Sequence, residues 1–138
     1  MLGKTIARLL FVFINFAFSQ SIDTIQLNTI PMGSIVKTHL NFGVDNFGVP
    51  RTIPVLVAKG KTPGPVLGLT AAIHGNELNG IAIIHKLFDT LDVTQLSGTV
   101  IAIPGLNPVG ISDNTRDFKQ EGDLNRIFPG KKNGSYEK

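Results

Sequence analysis

The sequence has no cysteine, no tryptophan and a single tyrosine. Without thiols there is no disulfide scaffold, no cysteine-ligated zinc ribbon and no thiol nucleophile. Without Trp, and with one Tyr, platforms for stacking bases are few, although Phe occurs nine times. Charge is also sparse. Charged residues make up 17% of the chain against 42% hydrophobic, too apolar a mixture for intrinsic disorder. The Lys and Arg residues are scattered, with only Lys131 and Lys132 adjacent, so there is no basic stripe to neutralise phosphates. Nucleic acid is therefore not an expected partner. A length of 138 residues allows one domain.

The chain opens MLGKTIARLLFVFINFAFSQS. Lys4 and Arg8 form a basic start, Leu9 to Phe18 a run of ten that is apolar but for Asn15, and Ala17 and Ser19 the small residues of a cleavage site. This is the layout of a secretory signal peptide over residues 1–19, cut after Ser19. The apolar run is half the roughly 20 residues needed to cross a bilayer, so no stable membrane span is expected. Cleavage removes Lys4 and Arg8 and takes the formal charge from +3 to +1. The expected mature chain is residues 20–138, secreted or periplasmic.

Residues 20 to about 50 mix β-formers with Asn, Gly and Pro and read as short strands and turns, punctuated by Gly43, Gly48 and Pro50. Thr52 to Ala58 is a β-rich run whose Pro54 suggests an edge position or a strand start. Val66 to Ile73 is a continuous apolar run, as suits a strand buried on both faces. From Leu78 to Leu91 apolar residues recur every three or four, a helical spacing. Thr99 to Ile103 is a further strand, stopped by Pro104. Strand, helix, strand implies a right-handed crossover and a parallel pair in an α/β sheet. Residues 105 to 134 lose periodicity and read as a long loop of the kind that carries function.

The apolar run of residues 66–73 is followed by His74-Gly75-Asn76-Glu77. Ligands bind outside the carboxyl ends of strands in open α/β sheets. Gly75 permits a sharp turn with unusual backbone angles. His74 and Glu77, three apart, can present an imidazole nitrogen and a carboxylate oxygen to one Zn²⁺, whose catalytic sites commonly use three protein ligands. The alternative is that Glu77 caps the helix and His74 bonds a backbone group. His85 lies eleven residues on, about 16 Å along a helix, too far to join them. His39 has nothing site-like around it. No third ligand is evident.

The loop Asn107 to Gly130 carries Arg116 and Arg126. A guanidinium can grip a carboxylate through two parallel hydrogen bonds, and Asn125 beside Arg126 can add a donor. The alternative is pairing of both arginines with Asp113, Asp117, Glu121 or Asp123 on a solvated loop.

HGNE, NPVG, TRDF and DLNRIFPG, in that order, resemble the succinylglutamate desuccinylase/aspartoacylase family. The resemblance runs from about Pro50 to Lys138. It implies an α/β fold with a mixed sheet and flanking helices, of the zinc carboxypeptidase (M14-like, phosphorylase/hydrolase-like) type. It also implies one Zn²⁺ held in part by His74 and Glu77. Arg116 would polarise the scissile carbonyl, and Asn125 and Arg126 would hold the substrate carboxylate. Asp123 would support the loop without reacting. The implied reaction is metal-assisted hydrolysis of an N-acyl amino acid or similar small acidic amide. A peptide substrate, as for an M14-like carboxypeptidase, and a non-catalytic anion-binding module are the other readings.

The family's third zinc ligand and general base lie further downstream than this chain reaches. After Gly130 the sequence runs KKNGSYEK, where Ser135 can cap a helix and Glu137 comes too early for the base. The expectation is an N-terminal portion of a hydrolase domain, weakly active or inactive alone, with neighbours missing beside Thr99 to Ile103. Zinc-dependent hydrolysis by purified 20–138 would refute it. The residues leave the oligomeric state open.

Overall fold

The computed structural model describes residues 21–118, 122–128 and 130. The expected leader, residues 1–19, and the Ser135–Glu137 segment lie outside them. The elements are β1 (Ser21–Ile22), β2 (Ser34–Val44), β3 (Pro50–Lys59), β4 (Thr62–Thr70), α1 (Asn79–Thr90), β5 (Ser97–Ile103), α2 (Pro108–Asp113) and α3 (Leu124–Ile127). One mixed sheet has the order β1-β2-β3-β5-β4. β1 runs parallel to β2, β3 antiparallel to β2 and β5, and β4 parallel to β5. The parallel pair expected on either side of the helix is present.

The N-terminal region is less fragmented than its composition implies, since β2 is an unbroken strand of 11 residues. Its Gly and Pro residues mark boundaries instead. The β2–β3 register shifts between Asn41 and Gly43, and Gly48 adopts a left-handed φ of 79° in the connecting turn. Asp45 closes that turn by accepting the Phe47 and Val49 N–H groups at 2.8 and 2.9 Å. These two bonds, that from Val49 foremost, hold its carboxyl below the ordinary value.

Pro54 sits within β3, opposite His39 of β2. β5 pairs only with Leu56 to Lys59, so the β5 side of Pro54 is locally an edge, as a residue without an N–H requires. The core lies between the sheet and α1. Leu56 and Ala58 of β3 and Val100 and Ala102 of β5 pack with Ile84 and Phe88 of the helix. His85 falls on the exposed side of α1, as its spacing implies.

Two expectations about strands are corrected. The apolar run from Val66 was expected to be buried on both faces. It forms β4, which ends the sheet, and Val66 and Leu67 are 56% and 55% exposed. The strand short of neighbours is therefore β4, because β5 is flanked on both sides by β3 and β4. The loop after Gly105 also contains two short helices. The signal was present at α2, where Asn107 is the N-cap and Pro108 the first helical residue.

Candidate metal and substrate site

The parallel pairing of β4 and β5 brings their carboxyl ends side by side. The segments that leave them are laced together. Ala71 N–H donates to Ile103 O at 3.0 Å, and Ala71 O and Ala72 O accept from Leu106 and Asn107 N–H at 2.9 and 3.1 Å. Ala72, buried, has φ 50°, a left-handed conformation that side chains disfavour and that surrounding bonds must hold. Asn107 is fully buried. Its Nδ2 donates to Ile73 O and Arg116 O at 3.2 and 3.4 Å, and its Oδ1 accepts from Gly110 N–H at 2.8 Å. One amide thus ties the His74 loop to α2 and to the Arg116 loop.

Gly75 lies in the expected turn, where Glu77 N–H donates to His74 O at 3.1 Å, but without the unusual backbone angle. It is not among the left-handed residues. It lies so close to Gly110 that a Cβ would fall 1.9 Å from that residue's carbonyl carbon. Its N–H donates to Arg116 O at 3.3 Å. Close approach of two backbones requires the glycine, while the left-handed backbone angle falls on Ala72.

This frame aims His74, itself buried, between two carboxylates. Nδ1 lies 3.0 Å from Glu77 Oε1, and Nε2 lies 2.9 Å from Asp123 Oδ1. Asp123 first, then Glu77, raise the imidazole pKa above its ordinary value by accepting hydrogen bonds from the charged ring. Asp123 also accepts Asn125 N–H at 2.9 Å as the cap of α3, and its Oδ2 accepts Arg116 Nη2 at 3.1 Å. Burial pushes the Asp123 pKa up, but the bonds from His74, Asn125 and Arg116 outweigh it and hold the carboxyl at about 2. Arg116 Nη1 makes a longer contact of 3.5 Å to Glu77 Oε1.

The alternative readings of His74 and Glu77 fail. His74 bonds carboxylates, and the cap of α1 is Leu78 with no side-chain bond. For Arg116, pairing with Asp123 does occur, but inside this cluster and not on a separate solvated loop. Asn125 lines an open cleft of about 870 Å³ together with Asn76, Glu77, Asn79 and the end of β4. Arg126, next in α3, is exposed. Its guanidinium is not brought into the His74 cluster.

Asp123 is the residue whose part the sequence understates. Its place before Leu124-Asn125 marked a helix cap, but no local pattern shows a bond to a histidine 49 residues away. Ligands on one tetrahedral zinc, with bonds of about 2.0–2.1 Å, stand about 3.3 Å apart. His74 Nδ1 and Glu77 Oε1, at 3.0 Å, need spread only slightly to seat the ion between them. Asp123 lies across the ring, on Nε2, and so orients the imidazole without sharing that position. Among the described residues, no group of three or more His, Cys, Asp or Glu is arranged to hold a metal.

His74, Glu77, Arg116 and Asp123 thus form one hydrogen-bonded cluster just past the carboxyl end of β4. The family model for the succinylglutamate desuccinylase/aspartoacylase catalytic domain matches residues 63–138, more than half of the chain. The chain belongs to that family. It is 38% identical over 84 residues to the N-alpha-acetyl-L-2,4-diaminobutyric acid deacetylase of Halomonas elongata, covering 60% of this chain and 24% of the relative. Among solved structures it is similar to an aspartoacylase family protein from Mesorhizobium loti, at 30% identity and a TM-score of 0.65, covering 79% of this chain and 34% of that one. It is also similar to the product-bound ectoine utilization protein EutE (DoeB) from Ruegeria pomeroyi, at 28% identity and a TM-score of 0.66, covering 79% and 35%. The chain thus spans about a quarter of the curated relative's length and a third of the structures'.

Proposed function

We propose that the protein is a zinc-dependent hydrolase that cleaves the amide bond of an N-acyl amino acid or similar small acidic amide. The observation that carries this reading is the His74 Nδ1–Glu77 Oε1 separation of 3.0 Å, with Nε2 held by Asp123. His74 and Glu77 are the residues that would hold the ion. Zinc supplies Lewis acidity that makes water nucleophilic near neutral pH.

The other residues follow from their positions. Arg116, tied to the cluster through Asp123, offers a guanidinium to the oxygen on which negative charge develops, a preorganised charge of the kind that dominates many rate enhancements. Asn125, on the cleft beside Glu77, and Arg126, next to it on α3, would hold the substrate carboxylate. The relative named as a deacetylase of an N-acetylated amino acid supports the amide class. The third ligand and the general base are to be sought outside the described residues. The leader at residues 1–19 supports a secreted or periplasmic site of action.

The test is zinc stoichiometry by elemental analysis, followed by hydrolysis of N-acetyl- and N-succinyl-amino acids against short peptides. Zinc uptake with N-acyl amino acid cleavage is expected. Preference for peptides would point to an M14-like carboxypeptidase. Anion binding with no metal requirement would point to a binding module.

A further inference from the structure

Asp123 spends its two oxygens on different functional groups. Oδ1 accepts from His74 Nε2 and from the Asn125 N–H, each at 2.9 Å, while Oδ2 accepts from Arg116 Nη2 at 3.1 Å. The Asp123 side chain is 19% exposed and that of Arg116 is 48% exposed. An arginine this open spreads over many rotamers unless something fixes its head. Its other described partner is Glu77 Oε1, at 3.5 Å, the same oxygen that lies 3.0 Å from His74 Nδ1. On the metal reading given above, that oxygen is committed to the ion, and Asp123 remains as the arginine's anchor.

We propose that Asp123 is a positioning residue for Arg116 as well as for His74, so that one carboxylate sets the guanidinium and the imidazole relative to each other. The acceptor chemistry makes this exacting. Both oxygens face donors. An asparagine keeps one acceptor and turns the other position into a donor. Directed at Arg116, the new NH₂ opposes a guanidinium N–H; directed the other way, it opposes the Asn125 N–H and removes the acceptor from His74. Asp123→Asn therefore loses one arm whichever way it turns.

The test uses the full chain, labelled with ¹⁵N. The first readout needs no metal: the rate at which the Arg116 guanidinium rotates, measured by NMR against free arginine. Slow rotation in the wild type and fast rotation in Asp123→Ala, which removes both acceptors, are expected. The wild-type comparison stands even where the variant fails to fold. Arg116 rotating as freely as free arginine in the wild type, or unchanged in a folded Asp123→Ala, overturns the proposal. The second readout is zinc affinity by competition with a chromophoric chelator. Loss of a residue that orients a ligand typically costs about 10–100-fold, and that loss is expected in Asp123→Ala. Arg116→Ala should change affinity by less than about twofold, because Arg116 is not a donor to the ion. Equal affinity in wild type and Asp123→Ala counts against the His74 arm. A wild type that takes up no zinc sinks the metal reading, while the rotation rate still decides whether Asp123 anchors Arg116.

Discussion

β3 and β4 flank the same strand, carry nearly the same residues and end in opposite environments. Val55-Leu56-Val57-Ala58 of β3 is at most 4% exposed throughout. Val66 and Leu67 of β4, in the run Val66-Leu67-Gly68-Leu69, are more than half exposed. β3 lies inside the sheet between β2 and β5, and α1 covers its Leu56 and Ala58. Among the described residues β4 has a neighbour on one side alone, and of this run Leu69 reaches the core, partly buried. An apolar run thus marks a strand. Its depth of burial is decided by strand order, which is set far away in the sequence.

The largest expected difference comes from shortening matched leucines. Leu56→Ala removes a side chain packed against Ile84, Phe88 and Val100, and should cost about 2–5 kcal/mol. Leu67→Ala, on the edge, should cost less than about 1 kcal/mol, since much of its side chain is already in water. Urea unfolding of the two variants checks this. Equal losses would mean that β4 is covered in solution and that the contrast is not real.

A smaller loss is expected in the loop that β4 feeds. Gly75→Ala forces a methyl into the Gly110 backbone and should cost about 1–3 kcal/mol, the range of overpacked sites. It should also weaken zinc uptake, because His74 is the preceding residue. Gly68→Ala is the control on β4, where an added Cβ meets nothing within 4 Å. A Gly75→Ala chain that unfolds like Gly68→Ala and keeps its zinc affinity would show that the close approach is not needed.

The titratable groups of the cluster, His74 and Asp123, lie in the loops beyond β4 and β5, so pH tests that end of the sheet. Asp123, held at about 2, adds stability above the unfolded carboxylate value of roughly 3.9 and loses it as pH falls toward 2. His74, raised, adds stability below the unfolded value of roughly 6.5 and loses it as pH climbs through its higher folded value. Without zinc, the cluster should stabilise most between about pH 4 and 6.5. Denaturation midpoints across pH should show that maximum in the wild type and a flatter profile in Asp123→Asn. Identical profiles would remove the His74–Asp123 pair from the stability of the fold.

The same contrast explains what could be read in the residues and what could not. The helix at Leu78–Leu91, the β-runs near Thr52 and Thr99 and the parallel pair follow from periodicity, which is local. HGNE pointed to a site by its imidazole–carboxylate spacing, and TRDF and DLNR did so by their resemblance to the family; the structure brings His74, Glu77 and Arg116 into one cluster. Burial of Val66 was misjudged because strand order is not written in a run of apolar residues. The part taken by Asp123 was understated because its two partners come from loops 49 and 7 residues away. Gly75 does lie in a turn, closed by Glu77 N–H on His74 O, but the unusual backbone angle falls on Ala72, and the close approach to Gly110 depends on where a second loop lies.

The smallest effect on stability is expected from a charge placed on the edge. Thr62 to Thr70 contains no charged residue, although Pro63 and Pro65 interrupt its start. Lysine is a common protector of exposed edges, because a buried ammonium opposes pairing with a second strand. At Leu67, about half exposed, a lysine can lay its methylenes along the sheet and keep its head in water. Leu67→Lys should therefore shift unfolding free energy by no more than about 0.5 kcal/mol, as for other surface changes. It should lower self-association in sedimentation velocity at high protein concentration. The same change at Leu56 puts the ammonium among Ile84, Phe88 and Val100 and should prevent folding, which circular dichroism would report. If Leu67→Lys also unfolds the chain, β4 is buried by something that the described residues do not include, and β3 and β4 are alike after all.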